Sequence, residues 1–349
     1  MKKILFTGGG SAGHVIPNIA LIEELLSDGD VEICYMGTNG IEKELITEWS
    51  IPFYEITCPK LIRSKSWSAW KRNLCIPAEL RRAKQQALDI LREVRPNAVF
   101  SKGGYVALPV IYAAKKLGIP CFAHESDFSP GLTNRLTARK CRCVFTSFPE
   151  TAKRLPHGRY SGAPLRRSIF NATRAEARKR LSIPFNAQVL LIFGGGSGSA
   201  AINDALRKHL KTLTENYVVL HVCGKGNLVE TNLKNYRQFE FVADMGMAYA
   251  CSDLVISRAG AGTVFELLAL KKPAILIPLE GQTRGDQLEN AAYFQEKGLC
   301  KVLKQDLLFT LPHAVEDAFT DEAMHQRLKN SDFHSGNEAI LQEIRTTLL

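Results

Sequence analysis

Two glycine triplets constrain the fold of this chain more than any other feature. Gly8-Gly9-Gly10-Ser11 follows the apolar run Ile4-Leu5-Phe6, and Gly194-Gly195-Gly196-Ser197 follows Val189-Leu190-Leu191-Ile192-Phe193. Each reads as strand, glycine loop and helix, and the two lie about half the chain apart. A glycine loop in that place lets backbone N–H groups approach a phosphate at a helix N-terminus. One in each half predicts two related α/β domains facing each other across a cleft, an arrangement suited to two phosphorylated substrates.

The 349 residues suit two domains of ~150–200 residues rather than one core. Short β-rich runs alternate with helical patterns, which predicts parallel sheets covered by helices. Strands are expected at Ile4–Phe6, Val31–Met36, Phe53–Thr57, Ala98–Ser101, Cys121–His124 and Val144–Thr146 in the first half. In the second half they are expected at Val189–Phe193, Val218–Val222, Phe239–Val242, Leu254–Ser257 and Ala274–Pro278. Residues 156–164 hold Pro156, Gly158, Gly162 and Pro164 and read as the hinge between domains 1–160 and 161–334. Helical patterns follow at 305–319, 321–330 and 337–348, and the last, within 335–349, can pack back on the first domain.

Composition narrows the partners. No apolar run approaches the ~18 residues of a membrane span. The opening Lys2-Lys3 and short strand carry no leader pattern, so a cytoplasmic location is expected. Nine scattered cysteines read as reduced thiols, and Cys141-x-Cys143 has neither zinc nor redox spacing. The net charge is +10, and residues 1–160 hold 23 Lys+Arg against 15 Asp+Glu. Such a bias suits nucleic acid, an anionic membrane or a polyanionic substrate. The basic residues are densest at 60–84, eight against one acid. Trp67, Trp70 and Leu74 recur there at spacings of three and four beside Lys71 and Arg72, a pattern for a membrane interface. The other reading is a core stripe with a solvated basic flank. No nucleic-acid recognition motif accompanies the charge.

Several strand tips carry candidate chemistry. Gly8-x-Gly10-x-x-Gly13 matches a dinucleotide fingerprint, yet the second strand ends Tyr35-Met36-Gly37-Thr38 without the acid that ribose binding requires. His14 opens the following helix, where an imidazole can bond phosphate or act as base. Ser101-Lys102-Gly103-Gly104-Tyr105 again follows a strand. His124-Glu125-Ser126-Asp127 puts three ionisable groups at another strand tip; the alternative is a solvated loop capped by Asp127. In Ser257-Arg258-Ala259-Gly260-Ala261-Gly262-Thr263, the glycines and helix start can hold a diphosphate. Glu266 lies one turn further and can accept both hydroxyls of a ribose. A capping box of Thr263 with Glu266 fits the same residues. The polar loop after Pro278 brings Asp286 and Gln287, able to bond sugar hydroxyls, with Asp286 alternatively a helix cap.

Taken in order, GGGSAGH, SKGGY, HESD with PGLTNR, GAPLR, the second GGG loop, SRAGAGT with Glu266, and RGDQLENA resemble the MurG family over nearly the whole chain. These are UDP-N-acetylglucosamine:N-acetylmuramyl-(pentapeptide)-pyrophosphoryl-undecaprenol N-acetylglucosamine transferases of peptidoglycan synthesis. The resemblance implies a GT-B fold with two Rossmann-like domains. It implies inverting transfer of N-acetylglucosamine from UDP-N-acetylglucosamine, a substrate, to undecaprenyl-linked lipid I, giving lipid II. No cofactor and no metal are expected. It places the uracil at Val242, the ribose at Glu266, and the diphosphate along Gly195, Gly196, Ser197 and the loop of Gly260, Ala261, Gly262 and Thr263. Arg166 would reach the donor, and Asp286 and Gln287 would read the sugar. The acceptor diphosphate would meet Gly9, Gly10, Ser11, Gly13 and His14, with Gly103, Gly104 and Tyr105. His14 is the expected base, with Asp127 second and Glu125 beside it. Trp67, Trp70, Lys71, Arg72 and Leu74 would hold the protein peripherally to the anionic inner leaflet of the cell membrane, on its cytoplasmic face.

The chain departs from the usual pattern at three places: Gly196-Ser197 stands one residue off the common GGS-x-GA register, Asp127 stands where Asn is frequent, and Ala163 likewise. Rival readings are another GT-B glycolipid transferase, a catalytically inactive nucleotide-sugar-binding protein, and an NAD oxidoreductase.

Overall fold

The computed structural model describes residues 2–29, 31–60, 66–196, 198–281 and 285–348, without the side chains of 68–70. The chain forms two units, Met1–Arg166 with Ser335–Leu349, and Arg167–His334.

The first unit runs β1 (Lys2–Thr7), α1 (Ala12–Asp28), β2 (Val31–Gly37), α2 (Ile41–Thr47), β3 (Phe53–Glu55), α3 (Trp67–Leu74), α4 (Ile76–Val94), β4 (Ala98–Ser101), α5 (Ala107–Lys116), β5 (Cys121–Glu125), α6 (Leu132–Thr137), β6 (Cys143–Thr146), α7 (Pro149–Arg154) and β7 (Gly158–Tyr160). The second runs α8 (Arg174–Arg180), β8 (Gln188–Phe193), α9 (Ala200–Asn216), β9 (Tyr217–Val222), β10 (Tyr236–Phe239), α10 (Met245–Cys251), β11 (Leu254–Ser257), α11 (Ala261–Ala269), β12 (Ala274–Leu276), α12 (Asp286–Glu296), β13 (Lys301–Val302), α13 (Leu311–Thr320) and α14 (Glu322–Asn330). The last helix, α15 (Asn337–Leu348), returns to the first unit.

Both sheets are parallel and share one order. The first is β3-β2-β1-β4-β5-β6-β7 and the second β10-β9-β8-β11-β12-β13. In each, the order reverses beside the strand that feeds a glycine triplet. A doubly wound sheet binds its ligands at that switch point, beyond the carboxyl ends of the strands. The central strands are buried on both faces, as their near-continuous apolar runs require, while the edge strands are partly exposed.

On one face of the first sheet, Ile19, Ile22 and Leu25 of α1 share a core cluster with Ile340, Leu341, Ile344 and Leu348 of α15. Asn337 pins that helix. Its Oδ1 accepts from Leu165 N–H at 3.0 Å, and its Nδ2 donates to the Leu165 carbonyl at 2.9 Å and to Glu24 Oε1 at 2.6 Å. Those bonds carry residues 161–166 into the first unit, so the boundary falls at 166/167, beyond the one read from the sequence.

Two local expectations are corrected, and one strand is added. Residues 156–164 are not a free hinge, because 158–160 form β7 on the edge beside β6. The strand expected at 239–242 is Tyr236–Phe239, which leaves Phe241 74% exposed and Val242 in the following loop. β13 went unforeseen, being two residues long. All nine cysteines are unpaired thiols.

His221 on β9 is wholly buried, its Nδ1 2.8 Å from the Tyr236 hydroxyl and its Nε2 2.9 Å from Asn203 Oδ1. Burial, helped by Arg207, pulls its pKa down to about 4. The unfolded chain takes up this proton near pH ~6.5, and the folded chain resists until near 4. The unfolded state therefore binds more protons in that window, and stability falls as pH drops through it. Thermal unfolding should show a loss from this group of about 1.4 kcal/mol per pH unit below pH ~6.5, and His221→Gln should flatten the profile. An equally steep profile in the variant would contradict this assignment.

Candidate active site

In the first unit, the loop between β1 and α1 is held from below. The Tyr35 hydroxyl donates to the Gly8 carbonyl at 2.7 Å and is itself steadied by Asn18 Nδ2 at 3.0 Å. Glu42, at the start of α2 and fully buried, accepts from Gly10 N–H at 3.1 Å, Thr38 N–H at 3.0 Å and Thr38 Oγ1 at 2.5 Å. A side chain on Gly9 would collide with that carboxylate. The loop after β4 closes over the other side: a side chain on Gly104, whose φ is +79°, would strike the Gly9 carbonyl, and the Tyr105 ring covers Gly10. Gly9, Gly10, Gly103, Gly104 and Tyr105 thus sit together at the switch point.

Ser11 is the N-cap of α1 but makes no side-chain capping bond; its Oγ lies 3.0 Å from His14 Nδ1 instead. Gly13, within the first turn, is exposed. Lys102, next to the Gly103-Gly104 pair, is 3% exposed. Burial lowers its ammonium pKa, against the attraction of Glu125 and Asp127. Lys102 stood in a quoted motif, yet nothing in the sequence marks it as buried.

The β5 tip divides its three ionisable groups. His124 is completely buried with Nε2 3.1 Å from the Gly162 carbonyl, and burial with the Lys102 charge holds its pKa well below the usual imidazole value. Glu125 accepts from Asp127 N–H at 3.1 Å, Gly131 N–H at 2.7 Å and Asn134 Nδ2 at 2.9 Å. Both its oxygens brace the loop 125–131, a supporting place rather than the cleft-facing one expected. Asp127 is half-buried on that braced loop.

In the second unit, the α11 N-cap is Gly260, with no side-chain capping bond, and the helix starts at Ala261. Thr263 therefore lies inside the first turn, and the capping-box reading fails. Glu266 is 8% exposed and its Oε2 accepts from the buried Tyr249 hydroxyl at 2.9 Å. Tyr249 carried no sequence signal, because its role depends on where α10 packs.

Arg258 knits the neighbouring loops: it donates to Ser199 Oγ and Gln305 Oε1, both at 2.8 Å, and to the Ile277 carbonyl at 3.2 Å. Ser199 caps α9, and Gly195, with φ +91°, and Gly196 sit on the preceding loop. Ser197 lies outside the described residues. Val242 is half-buried just before Asp244, the cap of α10. Gly285 is the N-cap of α12, so Asp286 is its first residue and not its cap. Gln287 Oε1 accepts from Leu279 N–H at 3.0 Å. Arg166, expected among the donor residues, is the last residue of the first unit.

The basic stretch is not a core stripe. Trp67 is 67% exposed and Leu74 60% exposed on α3, with Lys71 Nζ 5.6 Å from the Trp67 ring and Arg72 paired to Glu79 at 2.8 Å. The side chain of Trp70 lies outside the described residues. Among the described residues no helix is long and apolar enough to cross a membrane.

Comparison with known proteins adds the family. Residues 4–146 match the glycosyltransferase family 28 N-terminal domain, and 189–344 match the family 28 C-terminal domain. A Lachnoclostridium phytofermentans protein named UDP-N-acetylglucosamine--N-acetylmuramyl-(pentapeptide) pyrophosphoryl-undecaprenol N-acetylglucosamine transferase is 41% identical, over 99% of both chains. A protein of the same name from Clostridium kluyveri is 45% identical over 88% of this chain and 87% of its own. Among solved structures, Acinetobacter baumannii MurG matches with TM-score 0.77 and 25% identity, over 99% of this chain and 100% of that one. The two glycosyltransferase domains, the paired Rossmann-like sheets and these relatives place the chain in the MurG family of GT-B glycosyltransferases.

Proposed function

We propose that this chain moves N-acetylglucosamine from UDP-N-acetylglucosamine to the 4-hydroxyl of the N-acetylmuramyl sugar of undecaprenyl-linked lipid I, giving lipid II. The start of α11 carries the reading: a helix N-terminus without a side-chain cap, at the switch point, with buried Glu266 one turn inside. The N–H groups of Ala261, Gly262 and Thr263, with those of Gly195 and Gly196, meet the UDP diphosphate. Glu266, oriented by Tyr249, accepts the ribose hydroxyls. Val242 meets the uracil, and Arg166 reaches the donor. Asp286 and the amide nitrogen of Gln287 bond the sugar hydroxyls.

The acceptor diphosphate lies on Gly9, Gly10, Ser11 and Gly13, against Gly103, Gly104 and Tyr105. The O4–anomeric carbon bond forms as the bond to UDP breaks, and the electron pair leaves on the UDP phosphate. His14 takes the hydroxyl proton. In the tautomer whose Nδ1–H donates to Ser11 Oγ, the lone pair is on Nε2, which suits a base. Asp127 is the second candidate. UDP already activates the sugar, so the reading calls for no resident cofactor or metal. Exposed Trp67 and Leu74 with Lys71 and Arg72 bind the anionic inner leaflet peripherally on the cytoplasmic side.

Two measurements test this. UDP release from UDP-N-acetylglucosamine should require a lipid I analogue; donor binding without transfer would instead identify an inactive binding protein, and transfer only to other glycolipid acceptors a different transferase. His14→Ala should lower turnover by about 10²–10⁴-fold while donor affinity stays within about twofold. Near-normal turnover would remove His14 from the base role.

A further inference from the structure

At the opposite end of the first sheet from the glycine loops, the entry ends of β5, β6 and β7 frame a cavity of about 390 Å³. Ile119, Pro120, Cys121 and Cys141 give it an apolar floor. Its rim carries Lys115, Arg139, Lys140, Arg142 and His157, and no Asp or Glu lines it. The backbone fixes this gathering: Arg142 N–H donates to the Cys121 carbonyl at 2.7 Å, and Val144 N–H to the His157 carbonyl at 2.9 Å.

Among the described residues no carboxylate pairs with any of the four permanent cations. Lys140 rests 4.6 Å from the Tyr112 ring. Elsewhere in the unit, cations do find acids, as Lys43 with Glu55 and Arg159 with Glu343. Lys115 complements the carbonyl end of α5, but Arg142 leads into a strand and has no helix end to serve. Cys121 adds no negative charge, since burial pushes its thiol up to about 12. Unpaired like charges around a concave, partly apolar wall focus a positive potential into it.

We propose that this cavity is a second anion site, separate from the transferase centre, that takes a phosphate group bearing a small polar substituent. Arginine and lysine lining one concave wall suit phosphate oxygens. The volume falls within the ~300–1,000 Å³ of small-molecule sites, more than a bare phosphate fills. A phosphoglycerol lipid headgroup and a free phosphate ester offer the same chemistry.

The test uses the full-length protein with saturating UDP-N-acetylglucosamine, at constant ionic strength. Glycerol 3-phosphate is titrated by calorimetry, and vesicles of phosphatidylglycerol in phosphatidylcholine are used for sedimentation. The exposed pair Arg139→Glu with Arg142→Glu should weaken binding at least about tenfold, while donor affinity is unchanged. Loss confined to glycerol 3-phosphate identifies a free ester as the ligand, and loss confined to vesicles identifies the lipid headgroup. The pair Lys116→Glu with Lys153→Glu makes the same charge change outside the cavity and should leave binding intact. Equal losses in both pairs, no loss in either, or no binding of either probe by the unmodified protein would overturn the proposal.

Discussion

The Glu42 carboxylate is the contact on which the first unit's site depends. A carboxylate out of water is costly unless its oxygens are saturated with donors. Here the donors are the backbone of Gly10 and the backbone and hydroxyl of Thr38. The bond that satisfies Glu42 therefore also fixes the glycine loop, which fixes Ser11 and the ring of His14 behind it. Gly104 can then lie against Gly9, and Thr133 Oγ1, donating to the Gly104 carbonyl at 2.9 Å, extends the same lattice to α6.

The second unit repeats the strand order with a different buried group tying its loops together. Where the first places a carboxylate under its loops, the second places Arg258, joined to Ser199 and to the carbonyls that follow β12. Burial lowers the guanidinium pKa, yet the group remains a cation. A fixed positive charge and an uncapped helix start together favour an anion there, which agrees with assigning UDP to this unit. The matching topology thus holds different buried groups beside its loops, Glu42 and Lys102 in the first unit and Arg258 and Glu266 in the second.

The strand–loop–helix units were legible because their signals are local: apolar runs followed by glycines. The family was legible because the motifs come in order across the whole chain. What escaped had no local signal. β7 contains Gly158 directly after Pro156 and His157, and only pairing with β6 makes it a strand. Glu42 sits in Ile41-Glu42-Lys43-Glu44, which reads as a solvated helix start, and its burial follows from the loop laid over it. Thr263 and Glu266 fit a capping box in spacing, but Gly260 starts the helix earlier, and Glu266 bonds the Tyr249 hydroxyl instead. The β5 tip looked like one ionisable cluster, whereas packing made Glu125 a brace and left Asp127 half-buried.

The central claim is that the two glycine-loop sites serve different phosphates. Calorimetric titration of UDP into Glu266→Ala and Glu42→Ala tests it most directly. UDP affinity should fall at least about tenfold in Glu266→Ala and stay within about twofold in Glu42→Ala. Unchanged UDP affinity in Glu266→Ala, or an equal loss in both variants, would contradict the account.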